Sequence, residues 1–223
     1  RRGWPFWLAA WFLPAVFTLL GGAVYFLIFP QDFDPKFTYV QQLLDQSGPA
    51  AAGFSPSLFV LIQTVQAVLI SPLLNGLFTF GEEFGWRAYL LPKLMPLGGR
   101  HAVLLSGVIW GVWHWPVIAM GHNYGLDYPG FPWLGMGMMV VMCIGLGIFL
   151  SWVTLRSGSV WPAVIGHAAI NGISALAILV TVTGAGNPLV GPYPTGVLGM
   201  TAWVVASLLI LASRTGLKPT EEA

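Results

Sequence analysis

Trp133-Leu-Gly-Met-Gly-Met-Met-Val-Val-Met-Cys-Ile-Gly-Leu-Gly-Ile-Phe-Leu-Ser-Trp-Val-Thr-Leu155 is a run of 23 residues without one charged side chain. As a helix it covers the roughly 30 Å of a bilayer's hydrocarbon. A membrane barrel would need segments of about 10 residues that alternate apolar with polar, and Met136–Leu150 does not alternate. Five more stretches of this kind flank it: Leu8–Phe29, Pro56–Phe80, Ala102–Met120, Val160–Thr183 and Thr195–Ser213. Helix breakers such as Pro30, Pro35, Pro92, Pro96, Gly158 and Pro188 fall between them. The pattern predicts an all-α polytopic membrane helix bundle of about six transmembrane helices with an intramembrane polar cavity.

Composition agrees. Charged residues are 8% of the 223, hydrophobic ones 56%, and mean hydropathy is +0.76. An ordinary soluble domain is about a quarter charged, so this chain cannot cover a water-soluble globule. The 11 Trp suit the membrane–water interface. A net charge of +1 offers no basic field for nucleic acid. The single cysteine, Cys143, excludes an internal disulfide framework and a multi-cysteine zinc site. Leu8–Phe29 exceeds the about 7–15 residues of a signal-peptide core and reads as a retained span.

Charge orients the spans. If the first one leaves the cytoplasm, then Arg1, Arg2, Arg87, Lys93, Arg100, Arg156, Arg214 and Lys218 share the cytoplasmic side, and only Lys36 falls outside. That is the positive-inside pattern and predicts both termini in the cytoplasm. Asp32, Asp34, Asp45 and Asp127 fall on the other face. Phe37–Leu44 reads as a short interfacial helix.

Polar groups at membrane depth are costly and point to function. Three clusters qualify. In Gly81-Glu82-Glu83-Phe84-Gly85-Trp86-Arg87, Glu83 and Arg87 stand at i, i+4 in the favoured order for an ion pair. Glu82, rotated by about 100°, lacks that partner and is free to face the bundle interior. In Trp110-Gly111-Val112-Trp113-His114-Trp115-Pro116, Trp110 and His114 share a helix face. His114 lies 14 residues beyond Arg100, about 20 Å along a helix. His167 and Asn171 likewise share a face, 11 and 15 residues past Arg156. The plainer reading of each is a solvated helix end or an interhelical hydrogen bond. Cys143 reads as core packing, His101 and His122 as interfacial, and Gln63, Gln66 and Asn75 as partners of neighbouring helices, with the alternative that Asn75 faces the same interior as the clusters.

Several hydrolytic chemistries are missing. No His-Glu-x-x-His and no Gly-x-Ser-x-Gly occurs, and the aspartates all lie outside the spans. What remains is a carboxylate, two imidazoles and an amide on three helices. A carboxylate with an imidazole can take a proton from water, and a second imidazole with an amide can donate to a developing oxyanion. That is equipment for peptide hydrolysis without a covalent intermediate.

Glu82-Glu83-x-x-x-Arg87, Trp110-x-x-x-His114 and His167-x-x-x-Asn171, in that order, resemble the three motifs of the CAAX protease and bacteriocin-processing (Abi) family, which includes the Ras-converting CAAX endopeptidase. The resemblance covers roughly Leu73 to Ala175. It implies that Glu82 and His114 activate water, that His167 and Asn171 form the oxyanion hole, and that Glu83, Arg87 and Trp110 support them. It further implies CAAX-type protein processing or a bacteriocin or self-immunity role, and a bacterial plasma membrane. The partners implied are a protein or peptide substrate, membrane-embedded or lipidated, and membrane lipids. Trp110 stands where Phe is common in the family, and Ala88 where Gly often follows the Arg. On this reading residues 1–55 form an N-terminal span and extracytoplasmic loop, 56–183 the catalytic core, and 184–223 a C-terminal span and cytoplasmic tail.

No cofactor is expected. A rival assigns Glu82, His114 and His167 to a catalytic zinc, which matches such sites by ligand count. Two other rivals are a proton-coupled transporter relaying through Glu82 and Glu83, and a non-catalytic membrane scaffold or immunity protein. Against the transporter, the two halves of the chain show no matching pair of broken helices.

Overall fold

Apolar runs set off by proline and glycine fold into helices whose outer faces stay apolar. The computed structural model describes residues 3–51, 53–184, 186–213 and 215–218, so Arg1, Arg2 and Arg214 lie outside the described residues. In chain order the helices are α1 (Trp4–Ile28), α2 (Thr38–Gln46), α3 (Pro56–Val65), α4 (Ser71–Leu74), α5 (Gly76–Glu83), α6 (Leu91–Leu94), α7 (Gly99–Trp113), α8 (Trp115–Ala119), α9 (Trp133–Ser157), α10 (Trp161–Ile173) and α11 (Thr201–Ala212). Two π-helical segments, Gln66–Ile70 and Phe84–Leu90, carry α3 into α4 and α5 into α6. No strand forms among the described residues beyond two isolated bridges, Phe33 with Thr181 and Asn187 with Gly191.

Five segments are long and apolar enough to cross a membrane: Trp4–Ile28, Pro56–Leu74, Gly99–Ala119, Trp133–Ser157 and Trp161–Val180. The sixth expected span is shorter than the sequence predicts. Of Thr195–Ser213, only the 12 residues of α11 lie in an α-helix, about 18 Å. The chain before it turns at Gly191, with φ +124°, and closes a Gly196-to-Tyr193 hydrogen bond of 2.9 Å. Short as it is, α11 is held firmly. Trp203 meets Phe17 of α1 and Phe149 of α9 edge-on at 5.1 and 5.6 Å, and Ser207 Oγ donates to the Gly145 carbonyl at 2.9 Å.

Burial is inverted relative to a water-soluble protein. Leu27 and Phe78 are each 81% exposed, whereas Glu83 is 0% and Arg87 2% exposed. Apolar atoms outside and paired charges inside suit lipid as the solvent. This is an integral membrane protein.

Close helix contacts set the interior. An added Cβ on Gly107 or Gly111 would lie 2.7 Å from the Ile144 Cα or 2.5 Å from the Val140 Cα. These two glycines, four residues apart, therefore let α7 and α9 touch backbone to backbone. On the other side, α4 and α5 run along α10. Thr79 Oγ1 donates to the Val164 carbonyl at 3.0 Å and Asn75 Nδ2 to the Ala168 carbonyl at 3.4 Å. Ser71 packs on Gly172, its Cβ 2.5 Å from where a glycine Cβ would sit.

The ends of the bundle separate the charges. Gly3 sits against Ser157, Arg156 donates to the Thr215 carbonyl at 3.5 Å, and Gly99 abuts Leu217, so Arg100, Arg156 and Lys218 share one end. At the opposite end Asp34 N donates to Val180 at 2.9 Å and Val182 N to Asp32 at 3.0 Å. The expected interfacial helix forms there as α2. The Asp34 carboxylate accepts from the amides of Thr38 (2.5 Å) and Lys36 (2.9 Å). The Thr38 side chain, followed by these amides, holds it below the usual carboxylate range.

Candidate active site

Glu82 and Glu83 close α5, where the π segment Phe84–Leu90 begins. The stripe Ser71, Asn75, Thr79, Glu83, Arg87 repeats every four residues. In a regular α-helix each such step overshoots a turn by about 40°, and across the last one, Glu83 to Arg87, the wider turns of the π segment take up the excess. Arg87 thereby stays on the face of Glu83, its NH1 donating to Oε1 at 2.9 Å. The ion pair read from the i, i+4 spacing is present and buried.

The same Oε1 accepts a second hydrogen bond, from His167 Nδ1 at 2.8 Å. His167, on α10, is 5% exposed. With Nδ1 committed to a carboxylate, Nε2 is the ring's free nitrogen. It accepts when the imidazole is neutral and donates when it is doubly protonated. Glu83 thus ties α5, the π segment and α10 together through one oxygen.

His114 occupies the joint between α7 and α8. Pro116 explains the joint: it has no N–H to give the Val112 carbonyl, and its ring crowds that oxygen. The His114 ring turns back on its own helix, and Nδ1 donates to the Trp110 carbonyl at 2.8 Å. A carbonyl only accepts, so Nδ1 carries the proton and Nε2 is the free nitrogen. Cys143 Sγ lies 3.7 Å from that Nδ1 and 3.6 Å from Met139 Sδ. The cysteine read as packing is buried, and it also stands beside the candidate catalytic histidine.

Glu82 points away from the Glu83 cluster. Its Oε2 accepts from Trp110 Nε1 at 3.1 Å. The side chain lines a cavity of about 490 Å³ with Gly81, Gly85, Trp86, Tyr89, Leu90, Ile109 and Trp113. Its walls are largely apolar or aromatic, with one carboxylate. Trp110 itself, 2% exposed, carries the Arg87 guanidinium 4.3 Å from its ring centroid and meets His167 edge-on at 5.2 Å.

The structure therefore gathers Glu82, Glu83, Arg87, Trp110, His114 and His167 into one contiguous network. Asn171 lies outside it: the residue is exposed, and its side-chain amide makes no hydrogen bond among the described residues. No three His, Cys, Asp or Glu side chains among the described residues stand close enough to share a metal ion. Glu82, His114 and His167 instead face Trp110 Nε1, the Trp110 carbonyl and Glu83.

Asn75 bonds a neighbouring helix, as its place in the span suggests, but three features lie beyond the single motifs. The polar ladder Ser71, Asn75 and Thr79 leading to Glu83 is visible as a four-residue repeat. Cys143 beside His114 and Gly147 under Arg87, 3.2 Å from a Cβ position to NH2, have no local signal. Both depend on how α9 is rotated.

The sequence profile described as Type II CAAX prenyl endopeptidase Rce1-like matches residues 59–173, which contain all three motifs. The CAAX prenyl protease 2 of Methanococcus maripaludis is 30% identical over 93 residues, 40% of this chain and 34% of that protein. The match thus spans about a third of the length of that curated relative. No solved structure matches this chain.

Proposed function

The chain belongs to the Rce1-like family of type II CAAX prenyl endopeptidases, and from that premise we propose that it is an intramembrane endopeptidase that cuts proteins or peptides with an activated water. Glu82 takes a proton from the water as its oxygen attacks the scissile carbonyl carbon, and His114, through its free Nε2, assists. The oxyanion that forms meets the Asn171 amide and, in its doubly protonated form, His167 Nε2. Collapse expels the amine, which receives the proton held by Glu82 or His114. Glu83 and Arg87 keep His167 and the π segment in place.

The observation that carries this reading is Glu82 itself, a carboxylate at membrane depth that opens on a cavity while its neighbour is consumed by structural pairing. The exposed Asn171 amide, without a hydrogen bond among the described residues, supports it, being available to a substrate. The apolar and aromatic walls around Glu82 favour a substrate that brings its own apolar group, such as a peptide with a prenylated C-terminal Cys-a-a-X sequence. We place both termini on the cytoplasmic face of a plasma membrane, and we assign the proton transfer to side chains without a metal.

The purified protein in detergent is incubated with a peptide library that includes prenylated Cys-a-a-X peptides, and the cuts are located by mass spectrometry. Specific cleavage by wild type that survives exhaustive chelation and vanishes in Glu82→Gln is the expected result. Absence of any cleavage by wild type, or equal cleavage by Glu82→Gln, overturns the proposal. Activity lost to chelator and restored by one zinc ion per chain replaces the metal-free step with a metal-assisted one.

A further inference from the structure

We infer that Trp110 is a positioning residue for Glu82, its indole N–H holding the carboxylate in the orientation from which it takes a proton. This rests on the proposed function above. No other hydrogen bond reaches the Glu82 carboxylate among the described residues, and the side chain has its own rotors and an open cavity beside it. Untethered, the carboxylate would sample orientations unable to reach a water at the scissile bond. Misplacement of a catalytic group by about 1 Å costs up to about a hundredfold in rate.

Trp110 is well built for this task. Its ring cannot drift, because the Arg87 guanidinium lies 4.3 Å from its centroid and His167 meets it edge-on at 5.2 Å and 76°. Its carbonyl accepts from His114 Nδ1 at 2.8 Å. One residue therefore touches both proposed water-activating groups, Glu82 with its side chain and His114 with its backbone. The chemistry of the donor matters as well. Indole N–H donates and does not accept, so it anchors Oε2 without competing for the proton, and Oε1 is left free to take it. A Phe here would keep the contacts with Arg87 and His167 and lose the N–H.

The test separates the N–H from the ring. In the full chain, Trp110 is replaced by β-(3-benzothienyl)alanine, which has the same bicyclic shape with sulfur in place of N–H, and in a second variant Trp110→Phe. With a library peptide that wild type cleaves, kcat and KM are measured beside the melting temperature in detergent. Losing a hydrogen bond to a charged group predicts a fall in kcat of about ten- to a hundredfold, with KM within about twofold and the benzothienyl variant melting close to wild type. A benzothienyl variant with wild-type kcat overturns the inference, as does one whose KM and melting temperature change as much as its kcat, which marks a structural role. The Glu82→Gln reference separates the two levels. If it is inactive while the benzothienyl variant is fully active, the inference alone fails. If it cleaves at the wild-type rate, the base assignment fails and takes the inference with it.

Discussion

A carboxylate that accepts from an arginine and a histidine in a dry interior does different work from one that faces a cavity, and Glu83 and Glu82 divide along that line. Glu83 holds Arg87 and His167 through one oxygen. Removing one partner of a buried pair typically costs about 3–5 kcal/mol, because the other charge is left uncompensated. Glu83→Ala and Arg87→Ala are therefore expected to lower expression and melting temperature as well as activity. Glu82→Gln keeps shape and leaves that pair untouched. It should melt near the wild-type temperature while turnover falls by about 10²–10⁴-fold or more. Thermal melts in detergent decide the matter, and a Glu83→Ala protein as stable as wild type would show that the pair does not hold the site. Among the described residues Asn171 makes no side-chain hydrogen bond, so Asn171→Ala should leave stability unchanged and residual activity from the His167 donor.

Among the elements, the contact of α7 with α9 decides where His114 and Trp110 point. At Gly111 a new Cβ would sit 2.5 Å from the Val140 Cα. Backbone cannot yield as the tip of a side chain can, so the helices must part. Gly111→Ala is expected to destabilise by about 1–3 kcal/mol or more and to reduce activity, whereas Gly137→Ala on α9, where nothing lies within 4 Å, should be silent. A Gly111→Ala protein with wild-type melting would show that the close approach is dispensable. The cavity beside Glu82 is open for a related reason: Gly81 and Gly85 have nothing within 4 Å of a Cβ position. Gly85→Ala should then be tolerated. Gly85→Leu projects into the space and should raise KM several-fold with little change in melting temperature. An unchanged KM on every cleaved peptide would mean that substrate does not enter there.

For the whole molecule, the separation of basic and acidic ends fixes which loops lie together, and the orientation proposed above puts the basic end in the cytoplasm. On a Cys143→Ala background, a membrane-impermeant thiol reagent applied to intact cells should label Asp127→Cys, which is exposed near the acidic end, and spare Lys218→Cys at the basic end. The reverse labelling would invert the orientation.

Local spacing along the chain determined a good deal. Uncharged runs specified lipid as the solvent, because so few charges cannot cover a soluble surface. The i, i+4 rule specified the Glu83–Arg87 pair, since both residues ride one helix and need no knowledge of any other. The bond from His167 to Glu83 spans 84 positions and that from Trp110 to Glu82 spans 28. Only the tertiary structure decided those, along with the shortened α11 and the exposure of Asn171. The physical reason is rotation: a helical period says which residues share a face, but not which neighbour that face meets. That choice was made by backbone contact at Gly107 and Gly111, by the polar ladder along α10 and by the two π segments, and it turned one glutamate into a strut and left the other facing the cavity.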